Sequence, residues 1–395
     1  MVSSNCISNF TYGGHVTAQI TFYPLGNADS TLIRCADDRL MLVDYANMKS
    51  SDDKKDNRCD LPKELQQALS NAKQDDFQVV CITHLDKDHV KGFKDFFELK
   101  YLKESQGKGR PGITELWVPA AAIIETGVKD DAWAVRQEAR HRLIKGQGIK
   151  VFSRPSVLKD FLKEHDLSVK DREHCIVDAG KYVPGYSAGD DEGVEFFVHC
   201  PFAWRIDERE VEDRNQDSIV FQATFNEGGQ LTYALFGSDV DSETLDKIVR
   251  TTKRKSNSNR LRWDILKLFH HCSYKSLNAD EEEREKKDKV LPIPNVKWLI
   301  EDQGEEECNI ISPSWPIPSK GSDEDRDKQP PHRQAASYYK DVIRGKDGEF
   351  VVTMEYPNKI NPKPFTLEIT RFGVKEVIPV VSAVGTATST ETRGG

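Results

Sequence analysis

Short apolar runs that end on polar turn residues recur along this chain, separated by segments whose apolar positions return every three or four residues. Val16, Ala18, Ile20 and Phe22 alternate with other residues, which predicts a strand with one buried face, and 30–35 and 39–43 supply two more. Leu61, Leu65, Ala68 and Leu69 share one face of a helix predicted over 61–72. The run 77–83 is uninterrupted and reads as a buried strand, with a helix over 90–99 after it. Further on, strands are predicted at 116–119 and 149–152 and helices at 130–144 and 156–164. A Gly/Asp-rich loop at 185–193 leads to a strand at 194–198.

A hairpin is expected at 218–225 and 231–236 around Asn226-Glu227-Gly228-Gly229, then a helix at 242–250 and a strand at 263–269. The charge run 281–289 reads as a solvated helix or loop. A strand at 309–312, a Pro-rich loop at 314–331, a helix at 332–343 and strands at 350–356 and 365–372 close the pattern. Residues 382–395 are small and polar and read as a disordered tail. Strands alternating with helices indicate an α/β class, and nothing repeats.

The 395 residues carry 65 acidic and 56 basic side chains, a net charge of −9, which argues against a protein that coats polyanions generally. Within that acidic chain, Arg250-Thr251-Thr252-Lys253-Arg254-Lys255 continues through Arg260, Arg262 and Lys267 as a basic segment. It reads either as a landing surface for phosphates or as a solvated helix end. The eight cysteines include no Cys-x-x-Cys pair and several sit in apolar runs, the usage of reduced thiols in a cytoplasm. No apolar stretch of about 18 residues and no charged leader is present, so a soluble cytoplasmic protein without a membrane partner is expected.

Chemistry concentrates where the strands end. Thr83-His84-Leu85-Asp86-Lys87-Asp88-His89 packs two imidazoles and two carboxylates into one loop, although the chain has only 10 histidines. Such side chains fanning to two sides of a loop suit a pair of cations. Asp239 ends the strand after the hairpin, and His270-His271-Cys272-Ser273 ends the next one. Three apolar strands thus terminate in metal-type residues. Asp29 and Asp44, at two other strand ends, read equally as orienters of ligands or as turn residues.

His-x-Asp-x-Asp-His, then Gly-x-Asp, then His-His, together with Leu25 to Ser30, Leu42-Val43-Asp44 and Asn215-Gln216-Asp217-Ser218, resembles the metallo-β-lactamase superfamily, in particular the hydrolase domain of the DNA-uptake competence protein ComEC. The resemblance implies an αββα sandwich, two mixed sheets flanked by helices, over one domain at 1–381 with a variable insertion at 100–191. It implies two divalent ions, zinc or manganese with magnesium possible: His84, Asp86 and a bridging Asp239 on one, and Asp88, His89, Asp239 and His270 on the other. Asp86 stands where most members have a second histidine and Asn215 near the place of a third, changes that the competence-type branch shares and that favour a harder cation. Cys272 stands where that branch has glycine; it reads as a buried structural thiol or, less simply, as a metal ligand.

The activity implied is phosphodiester hydrolysis by a metal-activated hydroxide, as in a phosphodiesterase or nuclease, on nucleic acid or a nucleotide-type substrate. Asp88 belongs to the catalytic set, and Ser273, Lys275 and His332 are candidates to contact the phosphate or protonate the leaving oxygen. His332 reads equally as an exposed residue at a helix start. The competing readings are a small-molecule ester or phosphoester hydrolase and a non-catalytic partner with a vestigial site. The terminal Arg393-Gly394-Gly395 adds the option of a protein partner through the tail.

Overall fold

In the computed structural model, which describes residues 17–107, 109–189, 192–203, 214–280 and 287–378, the predicted alternation at the start becomes β1 (Ala18–Phe22), with Ala18, Ile20 and Phe22 buried. It pairs antiparallel with β2 (Thr31–Arg34), and β2 with β3 (Leu40–Val43). From β3 the sheet runs on in parallel through β4 (Asp76–Cys81), β5 (Gly112–Pro119), β6 (Ile149–Phe152) and the short β7 (Ile176–Val177). From the span 100–191, β5, β6 and β7 thus extend this sheet at one edge, while Tyr182 and Ser187 bridge to Phe197 and Val194 of the second sheet.

The second sheet begins with the antiparallel set β8 (Glu192–Cys200), β9 (Val220–Glu227) and β10 (Gln230–Phe236) and continues in parallel through β11 (Trp263–Lys267), β12 (Gly304–Ser312) and β13 (Glu349–Val352). The chain then returns to the first sheet, where β14 (Phe365–Thr370) lies antiparallel to β1 and β15 (Gly373–Glu376) forms the edge.

Parallel neighbours need crossovers, and the crossing helices cover the outer faces. Side chains alternate across the strands to feed three apolar layers. In β4, Val79 and Cys81 join Phe22, Val43, Phe196, Phe221 and Phe236 between the sheets, while Phe77 and Val80 pack outward against Leu61, Leu65 and Leu69. In β11, Ile265 faces the inter-sheet layer, and Trp263 and Leu266 face the helices Ser242–Arg254 and Arg333–Arg344. The result is the αββα sandwich that the sequence led us to expect. Since β3 runs parallel to β4 and β10 to β11, their carboxyl ends open on one edge, where ligands of open parallel sheets collect.

Several expectations change. The helix expected over 90–99 is two single turns, Lys87–Val90 and Phe93–Phe96, divided at Gly92, whose φ of +85° and amide bonded to Asp131 Oδ2 at 2.9 Å suit a turn. The helix Pro294–Glu301 and β15 were not foreseen. Residues 281–286 of the charge run and the whole tail lie outside the described residues. Among the described residues no disulfide forms and no helix is long and apolar enough to cross a membrane.

Candidate metal centre

The centre is built on Asp44, one residue past β3. Its amide holds the carbonyl of Cys81 at 2.7 Å and its backbone is left-handed (φ +59°), so the carboxylate turns back over the end of β4. There Oδ1 accepts the Thr83 amide at 2.7 Å, and Oδ2 accepts the Thr83 hydroxyl at 2.8 Å and Nδ1–H of His89 at 2.9 Å. With its proton given to Asp44, Thr83 Oγ1 accepts from Ser238 Oγ at 2.9 Å and from Nδ1 of His84 at 3.2 Å. Across the gap, Nδ1 of His271 donates to the carbonyl of Pro313 at 2.8 Å.

Three imidazoles are thereby fixed in one tautomer, with Nδ1 engaged and Nε2 turned toward the cluster. This is the arrangement of metal-ligating histidines, whose second nitrogen is held by a carboxylate, hydroxyl or carbonyl.

The Nε2 atoms meet carboxylates. Asp239 Oδ2 lies 3.5 Å from His89 Nε2 and 3.4 Å from His271 Nε2, and Asp88 Oδ2 lies 3.3 Å from His271 Nε2. One ligand atom from each of Asp29, His89, Asp239 and His271 falls within 4.8 Å of the others, and all four residues are buried. Nε2 of His84 and of His89 and Oδ1 of Asp29 and of Asp239 are buried without a hydrogen bond. Each such atom costs about 1–3 kcal/mol, so four in one place fit a group that a cation completes.

Charge tells the same story. Asp29, Asp44 and Asp239 are buried, while among the described residues the buried ammonium beside them is Lys267, 2.6 Å from Asp29 Oδ2 and 3.1 Å from the carbonyl of Gly237. Burial would keep His271 neutral, but Asp239 and Asp88 raise its pKa to about 10. His89 is likewise driven upward against burial by Asp44 and Asp239. Asp239 and Asp88, which burial would protonate, are held well below the carboxylate range, Asp239 by His271 and His89 and Asp88 by His271. These carboxylates favour protonation of His89 and His271 when no cation is bound, and a divalent cation fits the same charge deficit.

Of the residues singled out from the sequence, His84, Asp88, His89 and Asp239 are brought together. Asp86 is at the rim, 37% exposed, 3.8 Å from His84 Nε2 and bonded through Oδ1 to Arg214 at 2.7 Å. His270 stands outside the group of four, its Nε2 3.9 Å from Asp239, and its neighbour His271 takes the interior place. The turn explains the exchange. His270, His271 and Cys272 are all left-handed (φ +44°, +52° and +66°), so strand alternation does not carry into it.

Cys272 is buried in the helix-side layer, and burial pushes its thiol up to about 12, as suits a structural cysteine. Ser273 is buried with Oγ accepting the Lys275 amide at 3.3 Å, and Lys275 is exposed. His332 starts its helix, but it is buried rather than exposed, edge-on to Tyr274 and accepting the Tyr274 amide at Nδ1. The Asn215 turn, whose carbonyl accepts the Ser218 hydroxyl at 2.5 Å, docks beside the centre through the Ile219 amide on the carbonyl of Thr83 at 3.1 Å.

The sequence groups Lys267 with a basic segment, a landing surface for phosphates or a solvated helix end and loop, and the structure instead buries it on Asp29. A lone charge inside the apolar run Ile265-Leu266-Lys267-Leu268-Phe269 was the signal that it is buried and paired.

No protein-family model and no curated protein matches the chain. Among solved structures it is similar to unliganded yeast PDE1, at 10% identity over 85% of this chain and 97% of that one, with a TM-score of 0.42. It is also similar to a diphosphatase of the PhnP family, at 11% identity over 64% and 73% of the two chains and a TM-score of 0.25. A third is BJP-1, a subclass B3 metallo-β-lactamase of Bradyrhizobium japonicum, at 16% identity over 69% and 84% and a TM-score of 0.28.

Proposed function

We propose that the chain is a metal-dependent hydrolase that cleaves a phosphodiester. The observation that supports this reading most is the convergence of three tautomer-fixed imidazoles, His84, His89 and His271, on the carboxylates of Asp88 and Asp239 at one sheet edge. His89, His271, Asp88 and Asp239 would hold one divalent ion, with His84 and Asp86 beside a second place. A donor set this rich in carboxylate suits a hard cation such as Mn²⁺ or Mg²⁺, or a mixed zinc site. Bound there, a divalent cation supplies a water of lowered pKa and positive charge for an anionic transition state.

The chain's own groups do the rest. Asp44 and Pro313 keep Nε2 of His89 and His271 bare. Asp88, 31% exposed at the mouth, would orient the attacking water. Exposed Lys275 gives a mobile positive charge for a substrate phosphate, and buried Ser273 positions its backbone. His270, 23% exposed beside Asp239, is a better candidate to protonate the leaving oxygen than buried His332.

A compact nucleotide-type phosphodiester fits better than a long polymer. Arg260 pairs with Glu195 and Arg262 with Glu305, Lys267 is buried, and the Lys253 ammonium sits 3.7 Å over the Trp298 ring. Arg250 and Arg254 lie roughly 12 and 18 Å along the helix Ser242–Arg254 from its start near Asp239. Among the described residues the basic segment thus forms no track to the centre.

The test is to load metal-stripped protein with Mn²⁺ and offer bis(p-nitrophenyl) phosphate, cyclic dinucleotides, RNA and single- and double-stranded DNA, with Asp88→Ala alongside. Turnover of a phosphodiester that vanishes with chelator and falls at least a hundredfold in Asp88→Ala is expected. Absence of metal-dependent turnover on every substrate would end the proposal.

A further inference from the structure

At the rim of the centre a guanidinium sits where a second cation would. Arg214 donates from Nη1 to Asp86 Oδ1 at 2.7 Å and from Nε to Glu125 Oε1 at 2.7 Å, with Nη2 also on Glu125 Oε1. It bridges two carboxylates from separate parts of the chain. Beside this bridge, Nε2 of His84 is buried without a hydrogen bond, 3.8 Å from the other oxygen of Asp86, while its Nδ1 is tied to Thr83 and Ser238. The second oxygen of Glu125 is also buried without a hydrogen bond. His84 and Asp86 therefore form a half-site with two donors for a divalent ion, and a side chain of the same charge sign, anchored on Glu125, already lies on it.

From this, and resting on the hydrolase reading above, we infer that Arg214 is the resident cation of the His84–Asp86 half. The chain then holds one divalent ion tightly, on His89, His271, Asp88 and Asp239, and admits a second only after the guanidinium is displaced from Asp86. The aspartate at position 86 matters here: a carboxylate accepts the charged fork of an arginine, whereas an imidazole at that position would not. Arg214 and Asp86 are 33% and 37% exposed, so the guanidinium can swing into solvent without unfolding its surroundings, and their pair is weak enough for high metal concentrations to break.

A centre of this kind keeps a fixed positive charge beside the ion for an anionic substrate. Its activity at low metal follows a single binding event.

The experiment counts ions and reads their coupling, independently of activity. Metal-stripped wild type, Arg214→Met and Arg214→Lys are equilibrated with Mn²⁺, passed through a desalting column, and assayed for manganese per chain. Electron paramagnetic resonance of the same samples distinguishes isolated from exchange-coupled manganese. Wild type and Arg214→Lys are expected to retain one equivalent with the six-line spectrum of an isolated ion. Arg214→Met is expected to retain two, with a coupled spectrum and affinity for the second ion raised by about fivefold or more.

Asp86→Asn placed in the Arg214→Met background should return the count to one, which separates the half-site from a general rise in affinity. Should Arg214→Met prove unstable by circular dichroism, Arg214→Gln carries the same expectation. Two equivalents in wild type, or one in both neutral variants, would overturn the inference while leaving the hydrolase reading in place. No retained manganese in any of them would overturn both.

Discussion

Asp44 does not face the cluster, yet its side chain sets the tautomer of two histidines that do, so Asp44→Asn is a sharp probe of the centre. The amide oxygen of asparagine can keep the Thr83 amide now held at 2.7 Å. Its NH₂ group then faces Thr83 Oγ1 and His89 Nδ1, where the carboxylate accepted at 2.8 and 2.9 Å. Two donors now meet, and His89 relieves the clash by moving its proton to Nε2, the atom that has to be bare to bind a cation.

The Thr83 hydroxyl, having lost its acceptor, turns its proton toward Nδ1 of His84 and drives the same exchange there. Losing such a partner typically weakens metal binding by about 10- to 100-fold, or roughly 1.4–2.8 kcal/mol. Titration calorimetry of metal-stripped protein with Mn²⁺ at pH 7.5 measures it directly, with circular dichroism as the check on folding. Affinity within about twofold of wild type would show that the Asp44 network does not orient the ligands.

Other consequences follow from buried charges at the edge of the centre and beyond it. Lys267→Met strips the ammonium 2.6 Å from buried Asp29 and should cost about 3–5 kcal/mol in urea unfolding at pH 7.5, most of it recovered by adding Asp29→Asn. Asp264, which burial raises from 3.8 to about 6 while it accepts the Tyr233 amide at 2.7 Å, is protonated in both folded and unfolded chains below pH 3.8. Above that the unfolded chain ionises first, so a penalty of about 3 kcal/mol builds up to pH 6 and stays. Asp264→Asn should therefore stabilise at pH 7.5 and not below pH 4. His199 is lowered by burial from 6.5 to about 4 and donates Nε2–H to the carbonyl of Arg260 at 2.7 Å, so its contribution is complete above pH 6.5 and lost as pH falls toward 4. The two effects oppose one another in the wild type. Denaturant midpoints against pH should show Asp264→Asn more acid-sensitive than wild type and His199→Gln less so; parallel profiles for all three would refute both assignments.

The strands were legible because their apolar runs are short, bounded and alternating. β1, β6 and the helix Ser156–Lys163 fall within two residues of expectation. Elements without such a pattern escaped, for tertiary reasons. β15 owes its place to pairing with β14, and Gly92 breaks a helix because its left-handed backbone and the Asp131 carboxylate favour a turn over the helical period. The cluster was readable at His84 to His89 and Asp239, since a strand end fixes where those side chains point. The choice between His270 and His271 was not, because three successive left-handed residues put the second imidazole inward. Arg214 gave no signal at all, its role depending on Asp86 and Glu125, each far from it in sequence.

The claim on which the rest depends is that His89, His271 and Asp239 share a divalent ion at the joint edge of the two sheets. Anomalous diffraction at the manganese edge, from crystals of the full chain grown with Mn²⁺, tests it most directly. The account predicts a peak about 2.0–2.2 Å from Nε2 of His89, Nε2 of His271 and a carboxylate oxygen of Asp239. A peak bound through His270 with His271 turned away, or no peak at this edge in saturating manganese, would contradict it.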